Sequence, residues 1–148
     1  MQRKLRRAFT LIELLVVLVI LALLAGIVLP KFLGRGKDAQ VAAAKSQIQS
    51  FKSALQLYMV DNDGAPSAQQ GLAALISEPT SSPKPRNWKG PYFTDTQTIP
   101  MDPWGNPYDY QSPGPNGEDY WIASYGEDGK PGGTGYAADI DSTQTNPK

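Results

Sequence analysis

Residues 8–29 read AFTLIELLVVLVILALLAGIVL, an apolar run interrupted only by Thr10 and one acid, Glu13. As a helix, the part from Phe9 to Leu29 would be about 31 Å long at 1.5 Å per residue, which matches a hydrocarbon core of about 30 Å. A cleaved secretory signal has a shorter apolar core, roughly 7–15 residues, and an A-x-A site. No such triplet follows here, and Ala22 and Ala25 have the wrong spacing. The run therefore reads as a transmembrane anchor. Arg3, Lys4, Arg6 and Arg7 precede it without an acid, and such a flank stays on the cytoplasmic side. The expected topology is single-pass, N-terminus inside and body outside.

Glu13 fits a plain anchor poorly. A carboxylate near the end of a membrane helix is costly unless it is protonated, snorkels or meets a cation. One reading is a tolerated acid at the interface; the other is a pairing with a cation on a neighbouring chain. A chain cut just before Phe9 would carry a new α-amino group one helical turn from Glu13. Within one chain that amine points along the helix axis, so a neighbour displaced by about one turn is the better partner. Glu13 would then set subunit register.

The rest of the composition narrows the chemistry. A length of 148 residues suits one domain. With no cysteine and no histidine, disulfides, thiolate chemistry and the usual nucleophilic triads are absent, and a metal site would have to be built from oxygen. This argues against an enzyme. The chain has 14 basic and 14 acidic residues, but from Lys37 onward the balance is 8 against 13. An acidic body argues against nucleic acid as a partner, because phosphate binding needs a basic patch.

Pro30 lacks an N–H and is expected to end or kink the apolar helix, with Gly34 and Gly36 loosening the chain after it. A second helical pattern runs from about Asp38 to Met59. Val41, Ala44, Ile48, Phe51, Leu55 and Tyr58 recur at spacings of three and four, giving one apolar stripe, with Lys45, Gln49, Lys52 and Gln56 off it. Asp61-Asn62-Asp63-Gly64 reads as a helix stop rather than a calcium loop, since no Glu stands at the twelfth position. PSAQQGLAALISE (66–78) reads as a short helix capped by Ser67, with Gln70 completing a capping box. Beyond it prolines and glycines dominate, and only short strands fit: 108–111 and 119–125, joined by the turn-rich SPGPNGE (112–118). A helical stripe on a small antiparallel sheet makes an α+β domain. The expected organisation is a basic leader at 1–8, a membrane helix at 9–30 and a body at 31–148.

The stretch KLRRAFTLIELLVVLVILALLAGIVLP (4–30) resembles the N-terminus of type IV pilins and pseudopilins. That resemblance implies cleavage between Ala8 and Phe9 by prepilin peptidase, N-methylation of Phe9, and Glu13 as the assembly glutamate. The family nearly always has Gly before the cut, where this chain has Ala8, which predicts processing at a slower rate. LQLYMVDNDGAPSAQQGLAALI (55–76), PRNWKGPYF (85–93), DPWGNPYDYQSPG (102–114) and SYGEDGKPGG (124–133) are similar to one branch, the major pseudopilins of type II secretion systems. Major type IV pilins close their C-terminal loop with a disulfide, which a cysteine-free chain cannot do.

Residues 125–141, YGEDGKPGGTGYAADID, hold five glycines and little apolar content, bracketed by Glu127, Asp128, Asp139 and Asp141. On composition alone this is either a loop organised by calcium, which takes carboxylates and carbonyls in flexible geometry, or an acidic tail with glycine spacers. The resemblance implies the calcium loop. Its side-chain ligands would be Asp128 and Asp139, its backbone ligands the carbonyls of Tyr125 and Lys130, with Thr134 as a further oxygen. Members often carry another acid just before the Ala-Asp-Ile at 138–140; here Tyr136 and Ala137 stand there. That loss predicts weaker affinity, with Asp141 as the candidate replacement. Asp102 and Trp104 read as turn and core residues.

The resemblance implies a non-enzymatic subunit that polymerises with itself into a periplasmic pseudopilus and helps drive export of folded proteins across the outer membrane. Its partners would be minor pseudopilins, the inner-membrane assembly platform, prepilin peptidase and the secreted proteins. Two other readings fit the residues: a type IV pilin-like subunit for adhesion or DNA uptake, and an anchored calcium-dependent binding module with Trp88, Trp104 and Trp121 as platforms. The second requires those tryptophans to be exposed.

Overall fold

The structure, a computed structural model, describes residues 9–94 and 96–144, without the side chains of 27–35. The basic leader 1–8, including Ala8, lies outside the described residues. The chain divides into two compact units, the second beginning at Asp38.

One helix, α1, runs Leu11–Asn62. Thr10 caps it: its Oγ1 accepts the Glu13 N–H at 3.3 Å, and its carbonyl accepts the same N–H at 3.1 Å. Thr-x-x-Glu is a capping-box pattern, which places Glu13 at the third helical position. The helix does not end at Pro30. A proline removes one rung of the hydrogen-bond ladder, and α1 continues through that loss. In the first unit the apolar side chains from Leu11 to Leu24 are all exposed, Leu11 at 83%. Among the described residues no helix is long and apolar enough to cross a membrane; the part of the apolar run with described side chains stops at Gly26.

In the second unit the expected stripe is the core. Ala44, Ile48, Phe51 and Leu55 are completely buried, Tyr58 nearly so, and Val41 packs at the edge. Phe51 is central: its ring lies 5.1 Å from that of Phe93 and 5.2 Å, edge-on, from that of Tyr108. The helix and the two loop segments that carry Phe93 and Tyr108 thus meet on one aromatic side chain, in a core that also holds Leu72, Leu75, Ile122 and Ile140.

The helix ends as its Asp-Asn-Asp-Gly sequence suggests. Asp63 takes a left-handed conformation (φ 58°), and the residues before it hold segment 85–93. Asn62 accepts the Asn87 N–H at 3.0 Å and donates to the Tyr92 hydroxyl at 3.2 Å. Asp61 takes Lys89 Nζ at 2.8 Å and the Tyr92 hydroxyl at 3.1 Å. The hydrogen bond from Lys89 is the main reason the Asp61 carboxyl titrates below its ordinary range.

The short helix expected at 66–78 is smaller than its sequence suggested. The capping box forms: Ser67 N–H donates to Gln70 Oε1 at 3.0 Å and Gln70 N–H to Ser67 Oγ at 3.3 Å. Gly71 then turns left-handed (φ 60°), and only the 3-10 segment Leu72–Leu75 follows. The turn glycine overrides the cap.

Three strands form the sheet: β1 (Asp109–Gln111), β2 (Trp121–Ser124) and β3 (Ile140–Asp141), in the order β1-β2-β3. β1 and β2 make the expected antiparallel hairpin, Tyr110 opposite Ile122. β3 was not expected as a strand; it pairs antiparallel to β2 with Ser124 opposite Ile140. It is too short to show alternation, and only the pairing defines it.

Truncating Phe51 to Ala empties the centre of this core. Such a change costs about 3–5 kcal/mol, so the full chain in detergent micelles should melt at a clearly lower temperature. A loss below about 1 kcal/mol would place the core elsewhere.

Candidate metal loop

The segment DPWGNPY (102–108) prepares the site from below. Asp102 is 4% exposed, and its carboxylate is fully used. Oδ1 accepts the N–H of Asn106 at 2.7 Å and of Trp104 at 3.1 Å, and Oδ2 accepts the Ser124 hydroxyl at 2.7 Å. The backbone closes the turn with Asp102 N–H to Asn106 O at 2.8 Å and Gly105 N–H to Asp102 O at 2.9 Å. A buried carboxylate is tolerable only with such a set of donors. Asp102 is thus a turn residue, as its position in the motif suggested. Trp104 Nε1 and the Tyr108 hydroxyl are buried without a partner among the described residues. Burial, then the Asp102 charge, pushes the Tyr108 hydroxyl well up.

The acidic loop sits on this turn. Ser124 Oγ, held by Asp102, accepts the Gly126 N–H at 3.4 Å. Asn106 Nδ2 donates to the Gly126 carbonyl at 3.1 Å. The first limb is the 3-10 turn Gly126–Asp128, closed by Gly129 in the left-handed region (φ 63°). A Cβ on Gly129 would fall 2.8 Å from Asn106 Oδ1, so a side chain there would have to displace the Asn106 amide. The second limb is the 3-10 turn Gly135–Ala137. The limbs touch: a Cβ on Gly126 would lie 2.7 Å from the Tyr136 carbonyl and 3.0 Å from that of Ala138.

Asp128 is on the first limb, where its Oδ1 accepts the Lys130 N–H at 3.2 Å. Asp139 follows the second limb, and its two oxygens take the Gly132 N–H at 3.0 and 2.9 Å. Tyr125 immediately precedes the first limb and Thr134 the second, where the threonine side chain makes no cap bond. Asp141 is used elsewhere: it is on β3, and its carboxylate accepts the N–H of Thr143 at 2.8 Å and the Gln144 side-chain amide at 2.8 Å. Among the described residues no three acidic side chains converge as a metal cluster. Carboxylate oxygens such as those of Asp128 and Asp139, and backbone carbonyls of the loop, are hard donors of the kind calcium takes.

Two contacts of this loop had not been anticipated. One is Asn106, hidden in what reads as a turn motif. The other is the Tyr136 hydroxyl, which donates to Asp38 at 3.1 Å on α1 and so tethers the loop to the helix. The Tyr125 hydroxyl bonds Asp109, and this, burial and the charges of Asp109 and Asp139 push it up to about 12.

A family described as type II secretion system protein G matches residues 31–143. The chain belongs to that family. It is a subunit of the type II secretion pseudopilus. A prokaryotic N-terminal methylation motif matches residues 3–29. The type II secretion system core protein G of Pseudomonas aeruginosa is 46% identical over 140 residues, covering 95% of this chain and 96% of that protein. Its counterpart in Vibrio cholerae is 43% identical over 141 residues, covering 93% of each. The crystal structure of the major pseudopilin of enterohaemorrhagic Escherichia coli matches with a TM-score of 0.62 and 35% identity, over 76% of this chain and 93% of that one. The pseudopilin family is structural. The tryptophans agree: all three are half-buried, Trp88 and Trp104 pack on the core, and Trp88 Nε1 donates to the Ala74 carbonyl at 3.0 Å. They are not open platforms for a ligand.

Replacing Asp102 with Ala leaves the buried Ser124 hydroxyl and the half-buried N–H groups of Trp104 and Asn106 without their acceptor, and should cost on the order of 3 kcal/mol in denaturant unfolding, against about 1 kcal/mol for Ser124→Ala. A second expectation concerns alkali. Unfolded tyrosine ionises near 10, whereas folded Tyr125 is held protonated to about 12. Its contribution is complete below pH 10 and is lost as pH rises from 10 to 12. Melting temperature should fall across that window, less steeply in Tyr125→Phe.

Proposed function

We propose that this pseudopilin is cut between Ala8 and Phe9 by prepilin peptidase and N-methylated on Phe9. It then sits single-pass in the bacterial inner membrane, N-terminus cytoplasmic and body periplasmic, before entering the filament. The observation that carries this reading is the exposed apolar face of α1 from Leu11 to Leu24, directly after the capped Thr10-Leu11-Ile12-Glu13 start. So much apolar surface needs lipid or a neighbouring helix around it. In the filament, Glu13 neutralises the Phe9 amine of a neighbour and fixes register. The partners are other copies, minor pseudopilins, the inner-membrane assembly platform and the exported proteins; nucleic acid is not among them. The chain itself carries no catalysis, and energy for growth comes from outside it.

We further propose calcium as the cofactor of the 125–141 loop. Asp128 and Asp139 hold it with the carbonyls of Tyr125 and Lys130, and Thr134 and Asp141 are the further oxygens close by in sequence. When bound, the ion supplies positive charge that offsets the repulsion between the carboxylates and links the limbs.

The test is expression in a type II secretion strain lacking its own protein G. Mass spectrometry should find mature chains beginning at N-methylated Phe9, and Glu13→Ala should leave processing intact while filaments and secretion are lost. Calcium should raise the melting temperature of the wild-type chain, and Asp128→Ala with Asp139→Ala should abolish that rise. A mature chain that retains residues 1–8, or an active Glu13→Ala variant, refutes the assembly reading; no calcium effect at millimolar concentration refutes the cofactor.

A further inference from the structure

We infer that Asn106 is a positioning residue for the acidic loop, setting the first limb so that Asp128 and the neighbouring carbonyls face a cation. The inference rests on the calcium reading of that loop. Asn106 is held by its backbone, whose N–H goes to Asp102 at 2.7 Å and whose carbonyl takes the Asp102 N–H at 2.8 Å. Its side chain is therefore presented from a fixed turn. Both ends of the amide meet the limb: Nδ2 donates to the Gly126 carbonyl at 3.1 Å, and Oδ1 fills the space a Gly129 side chain would occupy. Those two glycines bound the 3-10 turn that contains Asp128. Groups that orient metal ligands from behind change affinity about 10–100-fold when removed.

The side chain makes no bond that holds the Asp102 turn, since that carboxylate binds backbone N–H groups and Ser124. Asn106→Ala therefore deletes the contact to the loop and leaves the turn closed. Asn106→Asp separates positioning from ligation. It removes the donor to Gly126 but adds an acid, so it weakens calcium binding if Asn106 positions and tightens it if the residue at 106 is itself a ligand.

The experiment uses the full chain in detergent micelles, titrated with calcium chloride by calorimetry, with amide exchange at Gly126–Gly129 followed in chelator. Both variants are expected to bind calcium about tenfold more weakly and to exchange the Gly129 amide faster. Their melting temperature in chelator should stay near wild type, unlike that of Asp102→Ala. Wild-type affinity in Asn106→Ala, or tighter binding by Asn106→Asp, overturns the inference. If the wild-type chain binds no calcium, the cofactor reading fails on its own. The exchange result then decides: faster exchange in Asn106→Ala supports Asn106 as the organiser of the limb, and unchanged exchange overturns it.

Discussion

The carboxylate of Asp102 is the constraint on which the C-terminal half of the body depends. It is almost completely buried, and water is not there to solvate it. Each oxygen must therefore be met by a protein donor, and the donors come from two places: the turn 102–106 and the end of β2 at Ser124. Satisfying one charge thus welds a proline- and glycine-rich turn to the sheet. That weld in turn supports the loop, because Ser124 Oγ takes the Gly126 N–H and Asn106 takes the Gly126 carbonyl. Polar satisfaction here acts beside core packing, since Tyr108 lies against Phe51 and Trp104 packs on the core.

α1 uses opposite logic in its two units. In the body its stripe of Ala44, Ile48, Phe51, Leu55 and Tyr58 is buried within the chain. From Leu11 to Leu24 its apolar side chains are all presented outward. The second unit is a folded body, whereas the first offers surface to other molecules. For a filament subunit this is a physical division of labour. The body keeps its shape by its own core, and the exposed segment offers apolar surface that is stable only when covered. The acidic loop belongs to the body, tethered to α1 through Tyr136 and Asp38 and to the DPWGN turn through Asn106.

Much of this was legible before any coordinates. The three-and-four spacing of Val41, Ala44, Ile48, Phe51, Leu55 and Tyr58 marks the buried face because helical geometry converts spacing directly into side. The hairpin 109–124 followed from strand-forming residues around a proline-glycine turn. What failed did so where local signals competed. Of the end or kink that Pro30 pointed to, the end is absent, because α1 continues through it; Ser67 and Gln70 formed their capping box, yet Gly71 stopped the helix they announced. β3 gave no pattern at all, since two residues carry no period.

The sequence by itself determined the helix stripe, the α+β class, the family and which acids flank the loop, because each is written in residue types at short spacing. Only the tertiary structure decided how those acids are used. Asp141 stands two residues from Asp139, yet it lies on β3 and its carboxylate accepts from Thr143 and Gln144, whereas that of Asp139 accepts from Gly132. Asn106, 20 residues from Gly126, becomes the loop's support, and Tyr136 reaches Asp38 across 98 residues. Such contacts depend on where the packed core delivers each segment, and no local spacing encodes that.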